Sequence, residues 1–256
     1  MASGLSILMY HQVGEFAPMR AHRPNYCDHR RFAAQMALLS RLRCRVLSLD
    51  EALAGLRGEK TLPLRAVVLT FDDGYRNFLE YAHPVLERHG FPALVYVIPG
   101  LLGKRAEWFT KDPGRIIPEL LSATDIKALR RAGVFIGSHT LSHPKLAECP
   151  MDHQRQELRD SRRALEDLLG EPVPHLCYPY GSFDPQTLRL AREAGYQSAT
   201  TCLRGLALPS DDPMALPRKG ISFGDDLLGF AWKVAIKHKP SQALRAWRTS
   251  WPSRLF

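Results

Sequence analysis

Two adjacent carboxylates, Asp72 and Asp73, close an apolar run in segment 65–75, RAVVLTFDDGY, and two imidazoles four residues apart, His139 and His143, follow another in SHTLSHP. Val67, Val68, Leu69 and Phe71 read as a strand buried on both faces. The aspartates therefore fall where the chain leaves the core, the end at which a βα protein keeps its chemistry. Neighbouring carboxylates repel, and the strain is relieved if a cation binds one while the other works as a base. Asp-Asp-Gly is also good turn chemistry, and taken alone it reads first as a turn. Ten histidines placed at random would supply about 0.35 pairs at a four-residue spacing, so the pair acquires meaning only from its setting. If the residues between them make one helical turn, both rings point to the same side. One carboxylate and two imidazoles that leave open positions form a hydrolytic metal site, suited to polarising a carbonyl and lowering the pKa of water.

The elements that must hold these residues alternate. Segment 5–10, LSILMY, reads as a first strand that delivers His11 at its end. Phe32, Met36, Leu39 and Leu42 recur at helical spacing, and Ser48 with Glu51 forms a capping box opening the next helix. Strands are expected at 44–49, 65–71, 93–98, 134–137, 175–178, 196–201 and 217–222. Helices are expected at 30–43, 48–56, 77–88 (strained or restarted at Pro84 and ended by Gly90), 122–132, 151–169 and 185–194. Segment 100–118 lacks periodicity and reads as a long functional loop in which Trp108 and Phe109 either stack on a ligand ring or cover the end of the fold. Six or seven βα units without a linker or a repeat argue for one parallel barrel or wound sheet, and a barrel is the preferred reading. Residues 225–256 differ, with Leu227, Leu228, Phe230, Trp232, Val234, Ile236, Trp247, Trp251 and Phe256 set among lysines and arginines. They form either a packed helical appendage or a segment that docks peripherally on anionic membrane.

A 256-residue chain with 45% hydrophobic residues can bury a sizeable core. The net charge of +9 favours acidic partners, but the arginines are scattered through helical stretches without interleaved aromatics, which sets nucleic acid aside. Five widely spaced cysteines form no CxxC pair and fit a reducing compartment, and no stretch resembles a leader or a membrane span. The expected location is cytoplasmic, at most membrane-associated.

TFDDG, SHTLSHP and YPYG (178–181), in that order and at these separations, resemble the motifs of the polysaccharide deacetylases of the NodB-homology, carbohydrate esterase family 4 type. The resemblance covers residues 5–222, and it is the ordered set that is specific. It implies a deformed parallel (β/α) barrel of about seven strands over residues 1–224, and a divalent metal, usually zinc. The substrate it implies is an N-acetylated glycan whose amino sugars lose their acetyl groups. By motif position Asp72 is similar to the catalytic base. Asp73, His139 and His143 are similar to the metal-binding triad, and Tyr180 to the residue whose backbone N–H joins the metal in stabilising an oxyanion.

Two departures stand out. Many members open the third motif with an arginine that steadies the base, but Cys177 stands there, and Arg218 in LPRKG is either its substitute or one of many surface arginines. The late Leu-x-His motif that supplies the general acid is absent. His11 in MYHQV takes its place in this reading, as in the biofilm-glycan deacetylase subgroup, which carries an early Tyr-His pair. His22 and His29 are candidates to line a substrate groove, and the other histidines take structural or solvent-facing roles. The alternatives are a lipid-linked glycan, an O-acetyl ester or a non-glycan amide at the same site, or a non-catalytic glycan-binding barrel. No Gly-x-Ser-x-Gly elbow supports a nucleophilic hydrolase.

Overall fold

A computed structural model describes residues 4–109, 116–235 and 245–247. Its strands are β1 (Ser6–Tyr10), β2 (Gln12–Gly14), β3 (Tyr26–Asp28), β4 (Arg45–Val46), β5 (Ala66–Phe71), β6 (Leu94–Val97), β7 (Phe135–Ser138), β8 (His175–Cys177), β9 (Ser198–Arg204) and β10 (Leu216–Gly220). Its helices are α1 (His29–Arg41), α2 (Leu49–Leu56), α3 (His83–His89), α4 (Ala123–Arg131), α5 (Met151–Leu169), α6 (Pro185–Glu193) and α7 (Leu227–Ala235). Seven parallel strands close into a barrel in the order β1-β10-β9-β8-β7-β6-β5, with β5 returning to β1 from Ser6↔Val67 to Tyr10↔Phe71. The expected barrel of about seven strands is the fold observed.

β4 is shorter than the expected 44–49 strand. It pairs with the start of β5 while β6 pairs with its end, so one edge of β5 serves two neighbours in succession. The sequence also missed β2 and β3, which form a separate two-stranded parallel sheet and are too short to show periodicity. Between Asn77 and α3 the chain makes a π-helical turn at Phe78–Ala82, restarts with Pro84 in the first turn of α3, and ends at Gly90 in a left-handed cap (φ 63°). Short 3₁₀ turns at Pro99–Leu101 and Glu107–Phe109 interrupt the expected long loop.

Alternation along the strands sorts side chains onto two surfaces. Leu8, Tyr10, Val67, Leu69 and Phe71 pack outward with Phe32, Met36 and Leu39 of α1. Ile7, Val68, Leu94, Tyr96, Cys177 and Leu216 fill the barrel and meet Leu49, Ala52, Leu53 and Leu56 of α2. The capping box at Ser48 and Glu51 that starts α2 is present. His175 at the start of β8 contacts Asp50 of α2 at 3.1 Å, so α2 closes the amino-terminal end and leaves the other end for function. α7 docks on the barrel with Phe230 buried, and Lys233 Nζ donates to the Gly220 carbonyl at 2.8 Å. Residues 236–244 and 248–256, which include Ile236, Trp251 and Phe256 of the expected membrane-docking tail, lie outside the described residues. Among the described residues no helix is long and apolar enough to cross a membrane.

The interior has little slack at Gly137 of β7, where an added Cβ would lie 2.6 Å from Tyr96 Cδ1 and 3.1 Å from the His175 carbonyl oxygen. Overpacking of this kind costs about 1–3 kcal/mol. Gly137→Ala should lower stability by that amount in urea unfolding, and an unchanged midpoint would show that Tyr96 can move aside.

Candidate active site

The site is built at the carboxyl end of the barrel from turns that follow β1, β5, β7 and β8. Asp72 donates its backbone N–H to the Tyr10 carbonyl at 2.9 Å, which carries the β5–β1 ladder one residue past the strand. The chain then turns through two consecutive left-handed residues, Asp73 (φ 72°) and Gly74 (φ 68°). A Cβ at Gly74 would press on Val97 Cγ1 at 3.0 Å. Asp-Asp-Gly is thus turn chemistry, and the turn is what sends two buried carboxylates in different directions.

Asp72 faces the barrel interior. Arg218 of β10 grips it with both ends of the guanidinium, Nη1 to Oδ1 at 2.7 Å and Nη2 to Oδ2 at 2.6 Å. Arg218 is itself held by the Thr201 carbonyl at 2.9 Å and Thr70 Oγ1 at 3.0 Å, and its side chain has 0% exposure, so it is no surface arginine. Cys177 Sγ lies 3.1 Å from Nη2, so the position opening the third motif and the arginine on β10 converge on one carboxylate. Burial would push the Asp72 carboxyl up, but the Arg218 guanidinium outweighs it and holds the group below its ordinary range. His11 stands beside this pair with Nε2 4.0 Å from Asp72 Oδ2, too far for a hydrogen bond.

Asp73 points to the other side. Its Oδ1 lies 3.1 Å from His139 Nε2 and 3.2 Å from His143 Nε2, and all three residues are buried. The histidines do not sit on a helical turn, contrary to the condition attached to their spacing. Thr140 (φ 64°) and His143 (φ 69°) are left-handed, and an irregular loop folds the second ring back onto the first, 4.9 Å between centroids.

These donors fit a divalent cation. His139 Nδ1 sits 2.7 Å from the Cys177 carbonyl, which can only accept, so a neutral His139 carries its proton there and presents a lone pair at Nε2. That lone pair faces a carboxylate oxygen at 3.1 Å, an approach that a shared cation makes favourable. His143 meets the same oxygen, and its buried Nδ1 has no hydrogen-bond partner among the described residues. One carboxylate and two imidazoles converging from three directions are zinc-type ligands with positions left open. Asp72, His139 and Cys177 also converge, but there the Arg218 guanidinium already supplies the cation.

Tyr180, in the left-handed region (φ 58°), stands at the rim with its ring 4.7 Å from His143. Four of the six non-glycine residues with positive φ among the described ones, Asp73, Thr140, His143 and Tyr180, thus gather here, as strained backbone does at functional sites. Trp108 stacks on His143 (4.5 Å, 29°) and buried Phe109 stacks on Tyr75 (6.2 Å, 9°), so both aromatics of the long loop pack against the site's own walls. His22 lines a cavity of about 890 Å³ bordered by Gln12, Phe16, Tyr26 and Tyr81, whereas His29 packs on Tyr81 at 5.3 Å. Thr70, whose hydroxyl holds Arg218, was not singled out from sequence; its only signal was a polar residue at an inward position of a buried strand, and the Thr201 contact, made by a backbone carbonyl, carries no signal in side-chain type.

The comparisons with known proteins agree with this geometry. Residues 59–199, more than half of the chain, match the family model described as polysaccharide deacetylase. The chain is 28% identical over 220 residues to the Bacillus subtilis protein YxkH, named for polysaccharide deacetylation, covering 86% of this chain and 72% of that one. It is 27% identical over 219 residues to the Escherichia coli poly-beta-1,6-N-acetyl-D-glucosamine N-deacetylase, covering 73% of this chain but 32% of that longer protein. The fold superposes on the Streptococcus pyogenes deacetylase PplD, solved with acetate, at a TM-score of 0.80 and 24% identity, over 92% of this chain and 100% of that one. With a family match spanning the DDG turn, the histidine loop and the YPYG turn, on a barrel of the same shape, the chain belongs to the polysaccharide deacetylase family.

Proposed function

We propose that this protein hydrolyses the N-acetyl amide of amino sugars within a polysaccharide, using a divalent metal of the zinc type. The observation that carries the reading is the division of labour between adjacent aspartates: Asp72 locked as an anion by Arg218, and Asp73 turned toward two imidazoles. Such a pair supplies a base and a cation site side by side, which amide hydrolysis by water requires.

Asp73, His139 and His143 would hold the metal, whose chemistry is to polarise the acetyl carbonyl and to lower the pKa of water. Asp72 accepts the proton of the attacking water. The Tyr180 backbone N–H donates to the oxygen on which negative charge develops. His11, close to Asp72 without being bonded to it, gives a proton to the leaving amine. Arg218 touches no substrate atom in this scheme and acts by keeping Asp72 ionised. This favours turnover over a glycan-binding barrel that has lost it, because the arginine missing from position 177 is replaced in space by Arg218.

The E. coli relative is named for a β-1,6-linked N-acetylglucosamine polymer, which makes β-1,6 oligomers the first substrates to try and β-1,4 oligomers the comparison. About one zinc-like ion per chain is expected, with acetate release that a chelator abolishes and added zinc restores. Metal bound without acetate release from either oligomer would leave the cation site standing and overturn the substrate class. No metal under any loading condition would remove the mechanism.

A further inference from the structure

The loop 139–143 carries two imidazoles on a backbone that two left-handed non-glycine residues strain, and such a loop persists only if its surroundings over-determine it. The side chain that does so comes from outside the motif. Glu157 of α5 is 3% exposed, and its carboxylate enters the loop from beneath. Oε2 accepts the backbone N–H groups of Leu141 at 2.8 Å and Ser142 at 2.9 Å, and Oε1 accepts Ser142 Oγ at 2.6 Å. Among the described residues, two further titratable groups face this carboxylate: His153 Nε2, one turn earlier on α5, 3.6 Å from Oε1, and the Cys149 thiol just before that helix. Thr140 Oγ1 accepts the His143 N–H at 3.2 Å, and Ser138 Oγ accepts the Thr140 N–H at 3.3 Å, which completes a brace along the whole loop. A buried anion is costly unless its oxygens are filled, and here they are filled by loop donors. Gln154, Leu158, Ser161 and Leu165 share the buried side of α5 with Glu157, and a carboxylate on that side has no packing reason to be there.

We propose that Glu157 is a positioning residue for the metal site: it fixes the 139–143 loop so that His139 and His143 reach the same point as Asp73, and so sets how tightly the cation is held. The inference rests on the metal reading above and is tested apart from turnover. Glu157→Gln keeps the shape but turns one acceptor into a donor facing a loop donor. Zinc titration of the apoprotein, read by calorimetry and by the absorption spectrum of the cobalt form, should show affinity weakened by about 10- to 100-fold, the usual effect of losing a partner behind the ligands, and a changed cobalt spectrum. A purely structural role would lower the melting temperature while leaving the zinc affinity of the folded protein and the spectrum unchanged, and that result overturns the proposal. If Glu157→Gln fails to fold, Ser142→Ala removes only the 2.6 Å hydroxyl bond. Zinc affinity weakened beyond the error of the titration then supports the proposal, and wild-type affinity overturns it. Wild-type protein that binds no zinc overturns the metal reading itself, a failure separable from wild-type and variant binding equally.

Discussion

Asp72→Asn is expected to lower acetate release by about 10²–10⁴-fold while metal content stays close to that of the wild type. The substitution is isosteric and removes the charge that takes the proton, and Asp72 is not one of the expected cation ligands Asp73, His139 and His143. It also leaves the Arg218 guanidinium, buried completely, facing a neutral amide. Unpairing a buried ion pair costs about 3–5 kcal/mol, so the melting temperature should fall, and the assay belongs at a temperature where circular dichroism shows the variant folded. Turnover within tenfold of wild type in folded, metal-loaded protein would remove Asp72 from the role of base. Loss of metal along with activity would mean that the two aspartates share one task.

Arg218→Met should be comparably severe, with a different pH signature. In the native protein Arg218 holds the Asp72 carboxyl below its ordinary range. The pair therefore stabilises the fold above the unfolded aspartate value of about 3.9, and that contribution is lost as pH falls through the lower, folded value. Without Arg218 the sign reverses. Burial then raises Asp72 above about 3.9, its ionisation opposes folding, and stability declines as pH rises through the new value. The acid limb of kcat/KM should move to higher pH, and stability at neutral pH should drop by about 3–5 kcal/mol. An acid limb in its wild-type place would show that Arg218 does not set the charge of Asp72. Because Cys177 Sγ lies 3.1 Å from Arg218 Nη2, the double variant Cys177→Arg with Arg218→Cys offers a rescue. The guanidinium would approach the same carboxylate from β8, and recovery of part of the lost activity would tie the effect to the charge rather than to the strand that carries it.

The readability of this site varied from residue to residue. Asp72, Asp73, His139 and His143 could be found because each pair follows an apolar run in the chain, and a strand that leaves the core delivers its next residues to the mouth of a barrel. The choice between helical turn and irregular loop for 139–143 could not be read, since a four-residue spacing places two rings together only for one backbone, and Thr140 and His143 adopt another. Arg218 was left between two readings for a related reason. It is 146 residues from Asp72, and an arginine in a basic sequence carries no mark of being buried until the β10 strand is placed in the barrel. Glu157 gave a faint signal, a charge on the buried stripe of α5, which periodicity can register but not explain.

By itself, then, the sequence determined the alternation of strands and helices, a preference for a parallel barrel over a wound sheet, and the candidate residues at its carboxyl end. These follow from local patterns of polarity and from turn residues whose backbone needs are written in their side chains. The tertiary structure alone decided which cation pairs with Asp72, which nitrogen of His139 faces Asp73, and what braces the histidine loop. Each of these depends on contacts between segments far apart in the chain, and burial is what makes such contacts strong: away from water, an unpaired charge or lone pair costs too much to leave unmet, so the partner that arrives is the one the packing supplies.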